Sequence, residues 1–342
     1  MLSIGVTYAD VTLTGTVNQV YTTQNVTTSA AGTLVPAGSS TITSIGSRGG
    51  ATGDTFITFA GSEDLGDGLK ASFKIEPRVN MNGSDSTTPG LFGLNREAHV
   101  DLSGAFGSVA IGNNYTPLFL QAVAPFDVNG STNAVGYTVS NNTTFNATNS
   151  IAYTLPKFVE GLTAQIAINK AAGTNVSTGN STGYGLSYAT GGLTAGFASE
   201  TTTGGALGNA YKAALGFGPA NSVETTDLTK TAYGISYNFG LAKIAFQGLT
   251  AKKTADKIDT LGYGISVPFG AVTVNLSASN ETDTLGTATA AKFAGSQLGA
   301  SYALSKRTSV YFLNGSYKQT SGATAQAADS AKQTSFGVSH SF

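Results

Sequence analysis

The sequence predicts an all-β fold: a transmembrane, antiparallel up-and-down β-barrel of about sixteen strands. Three observations predict it. Apolar and polar residues alternate strictly over runs of about 8–10 residues, the mark of strands with two unlike faces. Short turns and long loops rich in Ser, Thr, Asn and Gly take turns between those runs, which is the rhythm of a meander. No apolar run approaches the ~20 residues of a membrane-crossing helix, so if the chain enters a bilayer it does so as a closed barrel. The repeating unit is clearest at residues 298–318, LGASYALSKRTSVYFLNGSYK, two alternating runs broken at Ser305-Lys306-Arg307.

A length of 342 residues allows two domains, yet no linker or shift in composition divides the chain, and residues 10–342 read as one barrel domain. A net charge of −1 with only 11% charged residues leaves no polyanion-seeking surface, which argues against nucleic acid as a partner. Cysteine is absent, in keeping with a disulfide-free product of the periplasm or outer membrane. Mean hydropathy near zero is what a lipid-facing and a water-facing side average to. Residues 1–9, MLSIGVTYA, resemble the tail of a truncated secretory signal without its basic start. A natural start with a short lead is the other reading.

In order along the chain, residues 10–18 put Val11, Leu13, Gly15 and Val17 on one face and Thr12, Thr14, Thr16 and Asn18 on the other. Residues 24–53 read as a long loop on the open side of the barrel. Strands are expected at about 54–62 and 69–79, joined by Glu63-Asp64-Leu65-Gly66-Asp67-Gly68. In the second, Leu69, Ala71, Phe73 and Ile75 oppose Lys70, Ser72, Lys74, Glu76 and Arg78. A Lys or Arg facing lipid at mid-bilayer costs ~2–4 kcal/mol, so that charged face lines water. A strand near 95–103 turns Ala98, Val100 and Leu102 outward and Glu97, His99 and Asp101 inward. After residues 108–114, the alternation stops over about 115–148, a segment whose only charge is Asp127.

Regular hairpins follow. Leu162, Ala164, Ile166 and Ile168 mark one lipid face, Tyr184, Leu186 and Tyr188 the next, and Tyr233, Ile235, Tyr237 and Phe239 another. Turns at Gly191-Gly192, at Gly240-Leu241-Ala242 and at Pro268-Phe269-Gly270 separate partners. Over residues 307–318 the facing is ambiguous, because Val310/Phe312 and Tyr311/Leu313 compete for the apolar side. About sixteen strands enclose a space too wide for side chains to fill, so the Thr, Ser, Asn, Gln and Gly face surrounds an aqueous lumen.

No catalytic constellation emerges, and the chain does not read as an enzyme. His99 and His340 are the only histidines, too few for a metal cluster, and no cofactor motif is present. Ser339 and His340 are adjacent on a strand, hence on opposite faces, and cannot act as nucleophile and base. Glu63, Asp64 and Asp67 read as a solvated turn rather than a calcium loop. A diffusion path needs instead a narrow place with a field across it. The candidates are Lys70, Lys74, Arg78 and Arg96 for a basic side, and Asp127, Glu97 and Asp101 for an acidic side. Simple cross-strand neutralisation of lumen charge is the competing reading.

Several stretches then resemble one family. They are residues 59–71 (FAGSEDLGDGLKA), 95–107 (NREAHVDLSGAFG), 111–117 (IGNNYTP), 149–153 (NSIAY), 302–308 (YALSKRT) and the ending GVSHSF. In this order and spacing they are similar to the general porins of betaproteobacteria and neisseriae, over nearly the whole chain. The resemblance implies a sixteen-stranded outer-membrane barrel, a homotrimer, that passes small hydrophilic solutes passively. It also implies that residues 115–148 are a third loop folded inward to constrict the pore. Phe336, Val338, His340 and Phe342, alternating up to a terminal Phe, look like the signal read by the barrel-assembly machinery. Outer-membrane lipid and lipopolysaccharide would be its surroundings. The sequence departs from the family at Ala60 and Asn113, where relatives commonly carry basic residues, which puts the family's frequent anion preference in doubt. A structural or adhesive barrel with a plugged lumen and partner-binding loops is the alternative.

Overall fold

The computed structural model describes residues 10–28, 38–46, 54–81, 84–85, 88–89, 92–129, 143–170, 179–203, 227–286, 288–322 and 330–342. Residues 1–9 and the middle of the expected loop, 130–142, lie outside them. Strands β1 (Asp10–Thr28), β2 (Gly38–Gly46), β3 (Phe56–Gly66), β4 (Leu69–Val79), β7 (Phe92–Gly104) and β8 (Gly107–Tyr115) open the chain, with a detached two-residue pair, β5 (Ser84–Asp85) and β6 (Thr88–Pro89). After the inserted segment come β9 (Asn146–Thr154), β10 (Leu162–Asn169), β11 (Ser181–Thr190), β12 (Leu193–Thr202), β13 (Leu228–Asn238) and β14 (Lys243–Lys253). The chain ends with β15 (Asp256–Phe269), β16 (Val272–Leu285), β17 (Ala288–Ala303), β18 (Thr308–Gly322) and β19 (Ser330–Ser341).

All pairings are antiparallel, and β19 pairs with β1 to close the wall. The sheet holds 17 strands among the described residues. The seventeenth arises because one position is split: β3 pairs with β1 over Asp10–Thr16, and β2 pairs with it from Val20 onward. Counted as one position, β2 and β3 make the barrel sixteen-stranded. At the break the side chain of Thr55 replaces the missing ladder, its Oγ1 accepting from Asn18 N and donating to Asn18 O, both at 2.8 Å. A hydroxyl there satisfies backbone groups that would otherwise be buried without partners.

The alternation is organised as expected, apolar side out. Val11, Leu13, Ile75, Val100, Leu186, Ile235, Tyr263 and Leu298 are exposed on the outer surface. Inner-face neighbours such as Ala198, Ala232 and Gln247 are fully buried. The ambiguity in β18 resolves with Tyr311 and Leu313 inward and Val310 and Phe312 outward. Gly337 on β19 makes room for the Tyr311 ring, whose OH donates to Asn18 Oδ1 at 2.8 Å.

Two boundaries differ from the sequence reading. The loop expected over 24–53 is strand up to Thr28 and again over Gly38–Gly46. There Thr, Ser and Asn alternate with too little contrast in hydropathy to be seen as two faces, while β-branched Thr and Ile favour the strand. The segment over 115–148, where the alternation was expected to stop, is strand up to Tyr115 and again from Asn146, and between them carries a helix, α1 (Pro117–Ala122), and a 3-10 turn at Ala124–Phe126.

Candidate functional site

Two inner walls face each other at the level of the inserted segment. The first is built by β3, β4 and β7, whose inward positions carry the charges. Directly opposed pairs are Lys74 with His99, Ser72 with Asp101, and Glu76 with Glu97. From these and their neighbours grows a continuous ladder of alternating sign. Arg78 Nε donates to Asp54 Oδ2 at 2.6 Å, and Arg96 Nη1 reaches the same oxygen at 3.3 Å. Arg96 Nε donates to Glu76 Oε1 at 2.6 Å, and the Glu76 carboxylate also accepts from Thr58 at 2.7 Å. Lys74 bridges Glu76 at 3.2 Å and Glu97. His99 closes the series between Glu97 (3.6 Å) and Asp101 (2.9 Å).

The Arg96 guanidinium lies 4.3 Å from the centroid of the Phe56 ring, a cation–π contact that fixes its plane. Lys74 keeps 32% of its side chain accessible and Arg78 24%, so water reaches this face. The ladder sets three permanent cations against four carboxylates, which makes it a surface of strong local fields and little net charge.

The second wall carries the inserted segment. Thr116 caps α1, its Oγ1 accepting from Phe119 N at 3.1 Å, and Pro117 supplies the preset φ of the first turn. Leu118, Ala122 and Val123 then pack with Ala198, Leu228, Ala232, Leu249, Ala251 and Ile258 in the barrel's apolar core. The segment approaches so closely because the wall lacks a side chain at three points under it. A Cβ on Gly196 would stand 1.9 Å from the Gln121 carbonyl oxygen, one on Gly234 2.1 Å from the Phe126 ring, and one on Gly264 2.4 Å from Val128. Gly196 and Gly234 are register partners, so the track crosses strands without a step.

Polar contacts pin the segment along this track. Ser187 Oγ donates to Gln121 Oε1 at 2.6 Å, Lys243 Nζ to the Pro125 carbonyl at 2.7 Å, and Asn129 Nδ2 to Ser277 Oγ at 2.6 Å. On the returning side Lys230 Nζ donates to Thr144 Oγ1 at 2.9 Å. Where the segment leaves and rejoins the wall, Tyr115 lies tilted against Phe119 at 5.1 Å and Phe119 meets Phe145 edge to face at 5.0 Å.

The sequence-proposed site residues fall into these walls unevenly. Lys74, Arg78, Arg96, Glu97 and Asp101 all stand in the one ladder. Glu97 and Asp101 thus accompany the cations instead of facing them. Lys70 sits near the short turn, opposite Ser103 and exposed. Asp127 lies on the inserted segment between Phe126 and Val128, which rest on β13 and β15. With the split pair as one position, β15 is eight positions from β7 around a wall of sixteen, so Asp127 stands across the lumen from Glu97 and Asp101. Asp54 and Glu76, the carboxylates that organise the ladder, were not among the proposed residues. Phe336, Val338, His340 and Phe342 share the outer face at the end of the chain. Ala60 is opposite Lys74, and Asn113 gives its amide to the Arg96 carbonyl at 3.3 Å.

A family model described as Gram-negative porin matches residues 2–323. Major outer membrane protein P.IA of Neisseria meningitidis is 43% identical over 77 residues, 22% of this chain and 19% of that protein. The P.IB protein of the same species is 34% identical over 105 residues, 30% and 28% of the two chains. The aligned stretch therefore spans about a fifth of the P.IA relatives. In three dimensions an anion-selective porin from Comamonas acidovorans superposes with a TM-score of 0.76 at 23% identity, covering 98% of this chain and 100% of that one. Salmonella typhi OmpF, solved in complex with daunomycin, gives 0.68 at 16% identity, covering 98% of each.

Proposed function

Since this chain belongs to the Gram-negative porin family, we propose that it is a general diffusion pore of the outer membrane. Small hydrophilic solutes and ions pass through its lumen, and the segment that follows Tyr115 narrows the path. The observation that carries this is the division of the interior into two walls. The segment is seated on a glycine track against one, and the wetted charge ladder lines the other. A lumen this wide stays aqueous, and side chains with no catalytic pairing have only transit to influence.

Because the ladder's charges nearly cancel, the pore's ion preference is weak. Lys74, Arg78, Arg96, Glu97 and Asp101 act from the ladder and Asp127 from the far side. Lys70 contributes from the short-turn end. The protein works as a homotrimer among outer-membrane lipid and lipopolysaccharide. It is delivered there by the barrel-assembly machinery, which reads the outward row Phe336, Val338, His340 and Phe342. It is a channel and not an enzyme.

Purified protein in a planar bilayer under a salt gradient tests the reading. Ohmic conductance steps grouped in threes, with a small zero-current potential, are expected. Absence of steps from a barrel of verified fold would leave a plugged structural barrel as the better account.

A further inference from the structure

The charge ladder is one permanent cation short, and the shortfall lies at its His99 end. Arg78 and Arg96 share Asp54, Arg96 and Lys74 share Glu76, and Lys74 also reaches Glu97, which leaves Asp101 with His99 as its cationic partner among the described residues. Glu97, His99 and Asp101 occupy alternate positions of β7, so all three project from one face, into the lumen.

The two carboxylates hold the imidazole differently. Nδ1 of His99 donates to Asp101 Oδ2 at 2.9 Å, an ordinary hydrogen bond. Nε2 stands 3.6 Å from Glu97 Oε1, beyond the reach of one. That gap suits a bridging ion. Bonds of about 2.0–2.2 Å to nitrogen and oxygen put two ligands of one zinc-class ion about 3.4 Å apart at the tetrahedral angle and about 3.6 Å apart near 120°. A carboxylate on Nδ1 is also the usual companion of a metal-binding imidazole, because it fixes the tautomer whose lone pair is on Nε2 and makes that nitrogen more basic.

The neighbours leave the gap open. Lys74, directly opposite His99, donates to Glu97 through Oε2 and so leaves Oε1 to face the imidazole. On the other flank the register partner is Gly112, where a Cβ would stand 2.8 Å from His99 Cα, so β8 sets no side chain beside the ring. His99 keeps 12% of its side chain accessible, Glu97 14% and Asp101 18%, so water can complete a coordination shell. No three of His, Cys, Asp and Glu converge as metal ligands among the described residues. Two protein ligands make an open site that exchanges its ion, as a lumen requires where what enters must also leave.

We infer that His99 and Glu97 form a site on the lumen wall for a divalent transition ion of the zinc class, with Asp101 as a positioning residue. Imidazole beside carboxylate selects such ions over Mg²⁺ and Ca²⁺, which take oxygen ligands. The ion binds Nε2 and Oε1, and the proton it displaces from the imidazole passes to water. It supplies the cation that this end of the ladder lacks.

Binding is measured apart from conductance. Full-length protein in neutral detergent, freed of chelator, is dialysed against Zn²⁺, and retention of a single ion per chain against millimolar Mg²⁺ is expected. His99→Gln should abolish that retention although His340 remains. Asp101→Asn leaves both ligands in place and should weaken it roughly ten- to hundredfold. Lys74→Met removes the ammonium opposite the site and should tighten it. In the wild type, Zn²⁺ and not Mg²⁺ should shield His99 from carbethoxylation, a readout that needs no variant to fold.

Zinc held equally well by His99→Gln would overturn the inference by assigning the ion to other groups. Release by millimolar Mg²⁺ would overturn it too, since the ion would then be a diffuse counter-ion. Wild-type affinity in both Asp101→Asn and Lys74→Met would do the same, because the site's orientation and field rest on those residues. The effect on current rests on the pore reading: bound Zn²⁺ should move the zero-current potential toward anions. Protein that takes up zinc but shows no conductance steps defeats the pore and leaves the site, whereas steps without zinc uptake defeat the site and leave the pore.

Discussion

The two inner walls solve opposite problems. On β3, β4 and β7 the strands hold long charged side chains into water and pair those of the ladder with one another, so the surface is fixed by ion pairs between partly hydrated groups. On β11 to β17 the strands withdraw their side chains altogether at Gly196, Gly234 and Gly264, so that another stretch of backbone can lie on them. The first wall is tuned by charge and tolerates small changes of volume. The second is tuned by volume and tolerates almost none. A pore needs both, because a field acts at short range only if the path is narrow.

The largest expected effect comes from giving the second wall a side chain. Gly196→Val puts a branched group where a backbone oxygen already stands, and the backbone cannot yield as a flexible side chain would. The segment should lift from the wall, at a cost of about 2–3 kcal/mol or more. Single-channel conductance should rise and the urea midpoint in micelles should fall. Unchanged conductance would mean that the segment does not limit the path.

Next is the keystone of the first wall. Asp54→Asn leaves Arg78 and Arg96 without their shared carboxylate. The loss should be about 1–2 kcal/mol, below that of a fully buried pair because both arginines keep contact with water. The zero-current potential should move toward anions and the shift should shrink as salt is raised. A potential that stays in place would show that the ladder is structural only. Lys243→Met tests the seat of the segment on the second wall by removing the donor to the Pro125 carbonyl. A loss of about 1 kcal/mol and a shift toward cations are expected, with conductance noise increasing as the turn loosens.

What was legible in the sequence follows the same division. The first wall could be read because its faces differ sharply: Leu69, Ala71, Phe73 and Ile75 against Lys70, Lys74, Glu76 and Arg78 name inside and outside without any partner. Pairings were not legible, since Asp54 precedes its strand and meets Arg78 and Arg96 from 24 and 42 positions away. The role of the glycine track was hidden for a similar reason. In alternation a Gly on the polar face looks like filler, and only the docking of Gln121, Phe126 and Val128 gives Gly196, Gly234 and Gly264 a purpose. Helix α1 is six residues without a charge, too short for a periodicity. Its one local sign was the pair Thr116-Pro117, a cap followed by a helix-starting proline.

The smallest effect is expected from adding a cation at position 60. Ala60 faces inward directly opposite Lys74, so Ala60→Lys places two ammonium groups on a cross-strand pair. Repulsion of about 0.2–1 kcal/mol is partly relieved because Glu76 and Glu97 stand on either side of Lys74. The added charge joins a ladder whose charges nearly cancel, and so makes it only slightly basic. The zero-current potential should therefore move toward anions by less than in Asp54→Asn, which removes a negative charge and releases Arg78 from its ion pair while Arg96 keeps Glu76. If Ala60→Lys moved it further, position 60 would lie closer to the narrowest point than Asp54, and the ladder's centre would have to be placed on β3 instead of at the break in the second barrel position.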